Sequence, residues 1–353
     1  MAIERLDTEI VEIPLPRPIG TAIHQMRSVG CVLTTVTNSD GVTGEGMAFA
    51  INGDRIRAFD EAIKGLAPYV IGQDPSNVEQ IFEDIWAALN PSGHKGIGIS
   101  ALSAIDVALW DVVGKAADMP LAKLWGAERD VVDTYASSGL WLSNSIDELI
   151  AEAASFLEQG FRGMKIRLGS ADPETDVERV RAVRDVIGPD IDLYSDINQG
   201  LTPDAAIRLG HMLEEFDLAW IEEPVVYHDL AGHVQVREAL NTPIASGETE
   251  FTRLGMQGYL DAGAVDVLMP DLQRMGGYTE FRRSCAIAST YDVATSSHFF
   301  TELSLALAGS VPNCALVEHV DWFQPLYNEK IELRNGQLVI PDRPGTGFTF
   351  SPR

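Results

Sequence analysis

From Lys165 to Glu318 the chain repeats one pattern. A short apolar run that reads as a buried strand stops on one or two charged or polar residues, and a helix-like stretch follows. The runs are GMKIRLG at 163–169, LYSDINQG at 193–200, AWIEEP at 219–224, PIASGETE at 243–250, VLMPDLQ at 267–273, ATSSHFF at 294–300 and LVEHVD at 316–321. Asp196, Glu222 and Glu248 follow one another at intervals of 26 residues, and His298 follows Asp271 by 27. This is the rhythm of βα units closing into a parallel barrel of seven or eight strands. All strands of such a barrel end on one face, so these polar residues converge at its mouth.

The flanking sequence differs. Residues 3–15 alternate like a strand, and the runs 31–37 and 42–50 flank Ser39-Asp40-Gly41, a good hairpin turn. Between them, the polar, glycine-punctuated stretch 16–30 is longer than a tight connection needs and reads as a mobile lid. Residues 54–118 are helical in pattern, with Asp118-Met119-Pro120 as the stop. Thr202-Pro203-Asp204 is a good helix start within the barrel. After Glu318 the βα rhythm ends, and an Asn335-Gly336 hairpin leads into a Pro/Gly tail. The expected division is an α+β capping domain over 1–125, a barrel over 126–320 and a segment, 321–353, that returns to the cap.

A net charge of −26 over 353 residues argues against nucleic-acid or anionic-membrane partners, both of which need a basic footprint. The N-terminus carries charges where a signal peptide would be apolar, and no unbroken run of about 18 apolar residues occurs. Cys31, Cys285 and Cys314 form neither a CxxC pair nor a disulfide framework. A cytoplasmic protein is expected.

Three carboxylates from neighbouring strands repel one another unless a cation or proton intervenes. All-oxygen ligands point to Mg²⁺, with Mn²⁺ as its substitute. Asp196, Glu222 and Glu248 are the expected ligands. Glu223 is expected to face away from Glu222, because successive strand residues alternate. Asn198 shares the face of Asp196 and is placed to contact metal or a substrate hydroxyl. Lys165 and Arg167 lie two apart on one strand, hence on one face. On the other side of the barrel, Asp271 beside His298 is the usual arrangement of a general base held in one tautomer.

The set K-x-R, D-x-N, E, E, D, H and E at successive strand ends resembles the enolase superfamily and, within it, the mandelate racemase subgroup. The segments PRPIGTAIH, WIEEPVVYHDLAGH, SSHFFTE and IPDRPGTGF extend the likeness over nearly the whole chain. The resemblance implies a modified (β/α)₇β barrel with a cap, a homo-oligomer and abstraction of the proton α to a carboxylate, giving an enediolate. It makes Glu318 the acid that hydrogen-bonds the enediolate and Lys165 the contact to the substrate carboxylate.

One position departs from the subgroup's racemase pattern: the second basic residue is Arg167, where a lysine serves as base. Deprotonating a guanidinium at pH 7 costs at least ~7 kcal/mol, against roughly 4–5 for an unperturbed lysine. A racemase needs a base on each face, whereas dehydration needs one. The expected reaction is therefore dehydration of an acid sugar or other hydroxycarboxylate to a 2-keto acid. Racemisation or epimerisation of a 2-hydroxy acid is the alternative, and a non-catalytic ligand binder the remote one. His24 and Arg27, with Ile51, are the expected contacts to the distal end of the substrate.

Overall fold

The computed structural model describes residues 1–352. Strands β1 (Ile3–Gly20), β2 (Gln25–Asn38) and β3 (Thr43–Ile51) form an antiparallel sheet in that order. The β2–β3 turn is closed by Gly41 at φ +79°, whose N–H donates to the Asn38 carbonyl at 3.0 Å. Helices α1 (Ile56–Leu66), α2 (Val78–Leu89) and α3 (Ile97–Ala116) cover the sheet. A Cβ added at Gly44 or Gly46 would lie 2.1 Å from the carbonyl of Ala108 or Ala104, so β3 reaches α3 only because it carries no side chain there.

The expected lid is a strand. β1 continues to Gly20 and β2 starts at Gln25, leaving a short turn between them. The prolines of this stretch lie on the edge strand of the sheet, where a missing N–H is tolerated, and the pairing slips between Pro14 and Ile19. Arg17 ties this arm to the barrel through Glu148 (2.6 Å), Glu152 (2.7 Å) and Asn144 (3.0 Å).

Helix α3 is long and apolar enough to cross a membrane, but 78% of its apolar window is buried within the protein. It is the joint between cap and barrel. Ser103 donates to the Leu272 carbonyl at 3.0 Å, and the Asp106 carboxylate accepts from the N–H (3.0 Å) and hydroxyl (2.6 Å) of Thr279.

Eight parallel strands close the barrel: β4 (Val131–Ala136), β5 (Gly163–Arg167), β6 (Asp192–Asp196), β7 (Trp220–Glu222), β8 (Ile244–Ser246), β9 (Val267–Leu268), β10 (Ala294–Ser296) and β11 (Cys314–His319). β11 pairs with β4, and a helix follows each of the first seven strands. Side chains repeat every second residue, so the interior is layered. Tyr135, Tyr194 and Trp220 fill one layer, with ring centroids 4.3–5.4 Å apart. Asp196 and Glu222, two residues further along β6 and β7, stand one layer nearer the mouth.

The tail divides its contacts. β12 (Leu333–Arg334) and β13 (Gln337–Val339) form the Asn335-Gly336 hairpin, which pairs antiparallel with the start of β4, so this part of 321–353 joins the barrel. The open edge of β4 below its parallel partners takes this strand. The end of the tail reaches the cap: Leu121 N–H donates to Gly345, Thr346 N–H to Asp111, and Phe350 N–H to Glu45. At the barrel helix start, Pro203 occupies the first turn as expected, but the Thr202 hydroxyl makes no capping bond.

Glu302, in the first turn of helix Thr301–Ser310, is 1% exposed, and neither carboxylate oxygen has a hydrogen-bond partner. Burial, with Asp321 adding repulsion, pushes its carboxyl up to about 8. The native protein thus keeps a proton that the unfolded chain releases, and this residue subtracts stability as pH rises from about 4.5 to about 8. In urea unfolding, Glu302→Gln should match the parent near pH 4.5 and exceed it by about 5 kcal/mol at pH 9. A stability difference between the two proteins that stays constant with pH would refute this.

Candidate active site

Asp196 and Glu222 end β6 and β7, and Glu248 lies two residues beyond β8. One carboxylate oxygen from each lies within 4.8 Å of the other two, and all three residues are buried. Burial, the largest influence, raises Glu222 and Glu248 well above the carboxylate range, and neighbouring acids add to it. Glu248 Oε2 and Asn198 Oδ1 are buried acceptors without a donor. An all-oxygen set with orphaned acceptors and excess negative charge fits a hard divalent cation of the Mg²⁺ type.

Glu223 departs from the expected alternation. Its φ of +41° takes it off the strand, and its carboxylate lines the same cavity as Asp196 and Glu248. It accepts from Gln199 Nε2 at 3.0 Å, and burial followed by Asp196 pushes it up to about 7. The alternation rule failed because β7 ends at Glu222, just before Pro224.

Opposite this cluster, His298 Nδ1 lies 2.7 Å from Asp271 Oδ2. Asp271 also accepts from Arg274 N–H at 2.8 Å. The contact assigns the ring proton to Nδ1 and leaves Nε2 as the free base, 3.4 Å from Glu248 Oε1. Phe299 and Phe300 follow in the left-handed region at φ +49° and +48°, a strained reversal directly after the histidine. Phe299 N–H then donates to Glu318 Oε2 at 2.8 Å.

Lys165 Nζ sits between Glu222 Oε1 (2.7 Å) and Glu318 Oε1 (2.8 Å), with Asp196 at 3.7 Å. Burial opposes its charge, but these carboxylates outweigh burial and hold the ammonium above its ordinary range. Arg167 is held by its two terminal nitrogens. It donates to the Ser137 carbonyl and hydroxyl, both at 2.8 Å, and stacks on Trp141 with its central carbon 4.2 Å from the ring centroid. Its Nε faces Asp196 at 3.7 Å without a hydrogen bond.

Glu318, implied as the acid, sits beside Lys165 and Arg167. Burial would raise it, but Lys165, His298 and Arg167 hold it far below the carboxylate range. It accepts from Ser137 Oγ at 2.6 Å as well as from Phe299. In this arrangement it is an ionised acceptor.

Above these groups a cavity of about 450 Å³ opens between barrel and cap. His24, Ile51 and Asn198 line it, and so do Lys165, Arg167 and His298. Arg27 does not. It is exposed and lies outside the lining, to which its neighbours Gln25 and Met26 belong. The cap's cation in the lining is instead Arg55, and the barrel adds Arg274. Neither was singled out from the sequence. Burial, then Arg274, lowers the His24 imidazole below its ordinary value, making it a neutral hydrogen-bonding group at neutral pH.

Two family models match the chain. "Mandelate racemase / muconate lactonizing enzyme, N-terminal domain" covers residues 5–126, and "Enolase C-terminal domain-like" covers 148–353. L-Talarate/galactarate dehydratase of Salmonella typhimurium is 34% identical over 355 residues, spanning 99% of this chain and 89% of that protein. The 3,6-anhydro-alpha-L-galactonate cycloisomerase of Streptomyces coelicolor is 34% identical, spanning 99% and 97%. The crystal structure of the Salmonella dehydratase with Mg and L-lyxarohydroxamate superimposes with a TM-score of 0.96 at 33% identity, covering 99% of this chain and 91% of that one. With its closed eight-stranded barrel, its cap and its converging carboxylates, this chain belongs to the mandelate racemase/muconate lactonizing enzyme group of the enolase superfamily.

Proposed function

We propose that the protein is an Mg²⁺-dependent acid-sugar dehydratase, with Mn²⁺ able to substitute, that converts a small 2,3-dihydroxycarboxylate to the 2-keto acid. The observation that carries this reading is the asymmetry of the bases. His298, tied to Asp271 at 2.7 Å, has a free Nε2 at the cavity. The opposite side carries an arginine held by the Ser137 carbonyl and hydroxyl and an ammonium locked between two carboxylates.

Asp196, Glu222 and Glu248 would hold the metal. When bound, Mg²⁺ supplies positive charge that offsets these acids and favours the substrate carboxylate as it gains negative charge. His298 Nε2 takes the proton from the carbon next to the carboxylate, and Asp271 stabilises the imidazolium. The same imidazolium then protonates the departing 3-hydroxyl, which leaves as water, and the enol tautomerises to the keto acid. Lys165 and Arg167 remain cationic throughout and stabilise the developing enediolate charge, while Glu318 and Ser137 keep both in place. A positioned base contributes typically about 10²–10⁴-fold, so most of the acceleration falls to this fixed charge.

The Salmonella relative's name, a dehydratase of talarate and galactarate, supports an acid-sugar substrate. Racemisation would require Lys165 or Arg167 to surrender a proton from its ion pairs. The direct test is incubation of the Mg²⁺-loaded protein with acid sugars, reading keto acid as semicarbazone and α-proton exchange in D₂O. Keto acid is expected, and His298→Asn should lower its formation at least about 10³-fold with metal binding intact. Exchange without keto acid would replace dehydration by racemisation.

Metal binding is tested separately by thermal unfolding. Mg²⁺ at a hundredfold excess over its dissociation constant should stabilise the parent by about 2.7 kcal/mol. Glu248→Gln should lose that response, yet be at least as stable as the parent without Mg²⁺, because one of the crowded charges is gone. An undiminished Mg²⁺ response in this variant would remove Glu248 from the ligand set.

A further inference from the structure

Four cations line the cavity: Lys165, Arg167, Arg274 and Arg55. Lys165 faces Glu222 and Glu318 at 2.7 and 2.8 Å. Arg167 faces Asp196 at 3.7 Å, and Arg274 faces Asp271 at 3.6 Å while donating to the Glu248 carbonyl at 2.8 Å. The Arg55 side chain, exposed at the rim, has no hydrogen-bond or ion-pair partner among the described residues. Even Asp54, its neighbour in the chain and in the cavity wall, is outside ion-pair range. In a protein with 52 acidic and 26 basic residues, the one uncommitted cation in the lining belongs to the cap, after β3, whereas the catalytic groups come from the barrel strand ends.

Its backbone makes the placement more pointed. Arg55 is in the left-handed region, at φ 61° and ψ 14°, directly before α1, and its side chain makes no capping bond. This is a position that Ser, Thr, Asp, Asn or Gly fills better. The first turn of α1 holds no acid and carries Arg57, so the positive end of the helix adds to the guanidinium charge. Nothing in the helix's own stability calls for an arginine here, whereas an anion beside it would gain from both sources of charge. A planar guanidinium with free donors matches a carboxylate in two-point contact. His24, also in the wall, is kept neutral by burial and suits hydroxyl groups along the chain between the two ends.

We propose that Arg55 anchors a second carboxylate at the far end of the substrate, so that the acid sugar is a diacid. The inference rests on the dehydration proposed above. A cavity of about 450 Å³ accommodates an extended five- or six-carbon chain, with one carboxylate at Lys165 and the other at Arg55.

The test compares the Mg²⁺-loaded parent with Arg55→Gln, Arg55→Ala and Arg55→Lys on the stereoisomeric six-carbon aldaric acids and the matching aldonic acids. Calorimetric binding to each variant is measured in the His298→Asn background. Diacids should be the better substrates of the parent. Arg55→Gln and Arg55→Ala should lower the diacid-to-monoacid ratio of kcat/KM about 10–100-fold, through KM and the binding constant, with kcat little altered. Arg55→Lys should recover part of the loss. The inference is overturned if the parent prefers monoacids, if no diacid is turned over, or if diacid KM and binding are unchanged in Arg55→Gln and Arg55→Ala. Keto acid from monoacids alone would overturn the role of Arg55 and leave dehydration standing. Proton exchange without keto acid from any substrate would overturn dehydration itself.

Discussion

Electrostatic repulsion among carboxylates at the barrel mouth is the constraint around which the rest of the structure is arranged. Asp196, Glu222, Glu223, Glu248 and Glu318 are all buried there, and Lys165 and Arg167 are the cations closest to them. Water would relieve the repulsion, but burial excludes it. The fold meets the cost with rigid geometry: Trp220 donates to Glu222 at 3.0 Å, Gln199 to Glu223, and Ser137 to Glu318. Among the acceptors of this network, the oxygens of Glu248 and Asn198 stay unpaired, and among its donors Arg167 Nε does.

The layers beneath explain why that geometry can hold. Tyr135, Tyr194 and Trp220 pack across the barrel immediately below the acids, so each strand delivers its carboxylate from a support that cannot collapse inward. The cap is fixed from the other side by α3, through Ser103 and Asp106, and by Arg17 at the tip of the β1–β2 arm. The cavity wall is therefore made of residues from two bodies held in register by polar contacts between them.

What could be read from the sequence followed periodicity. Asp196, Glu222 and Glu248 recur at 26-residue intervals because each closes one strand–helix unit, and Asp271 and His298 close the next units after 23 and 27 residues. Where the backbone leaves regular structure the reading failed. Glu223 turns into the cavity through a positive φ, which no alternation rule anticipates. The stretch 16–30 read as a lid because it is polar and glycine-punctuated, whereas its pairing at the edge of the sheet is a property of the sheet, not of the local sequence. Arg27 and Arg55 are both basic residues of the cap, and nothing in the local sequence says that Arg55, in the turn after β3, is the one in the cavity wall. The charge state of Glu318 depends on Lys165, which is 153 positions away in the chain but 2.8 Å away in space.

The return of the tail to the cap has a temporal side. Asp111, on α3 and fully buried, accepts the N–H of Thr346, a residue 235 positions later, and Gly345 lies against Gly114. At synthesis rates of about 5–20 residues per second, roughly 10–50 s separate the emergence of these partners from the ribosome. The first-made part of the chain is thus among the last to acquire its complete set of native contacts, and until the tail arrives Asp111 must share its charge with Lys115 and the N–H of Glu45 alone.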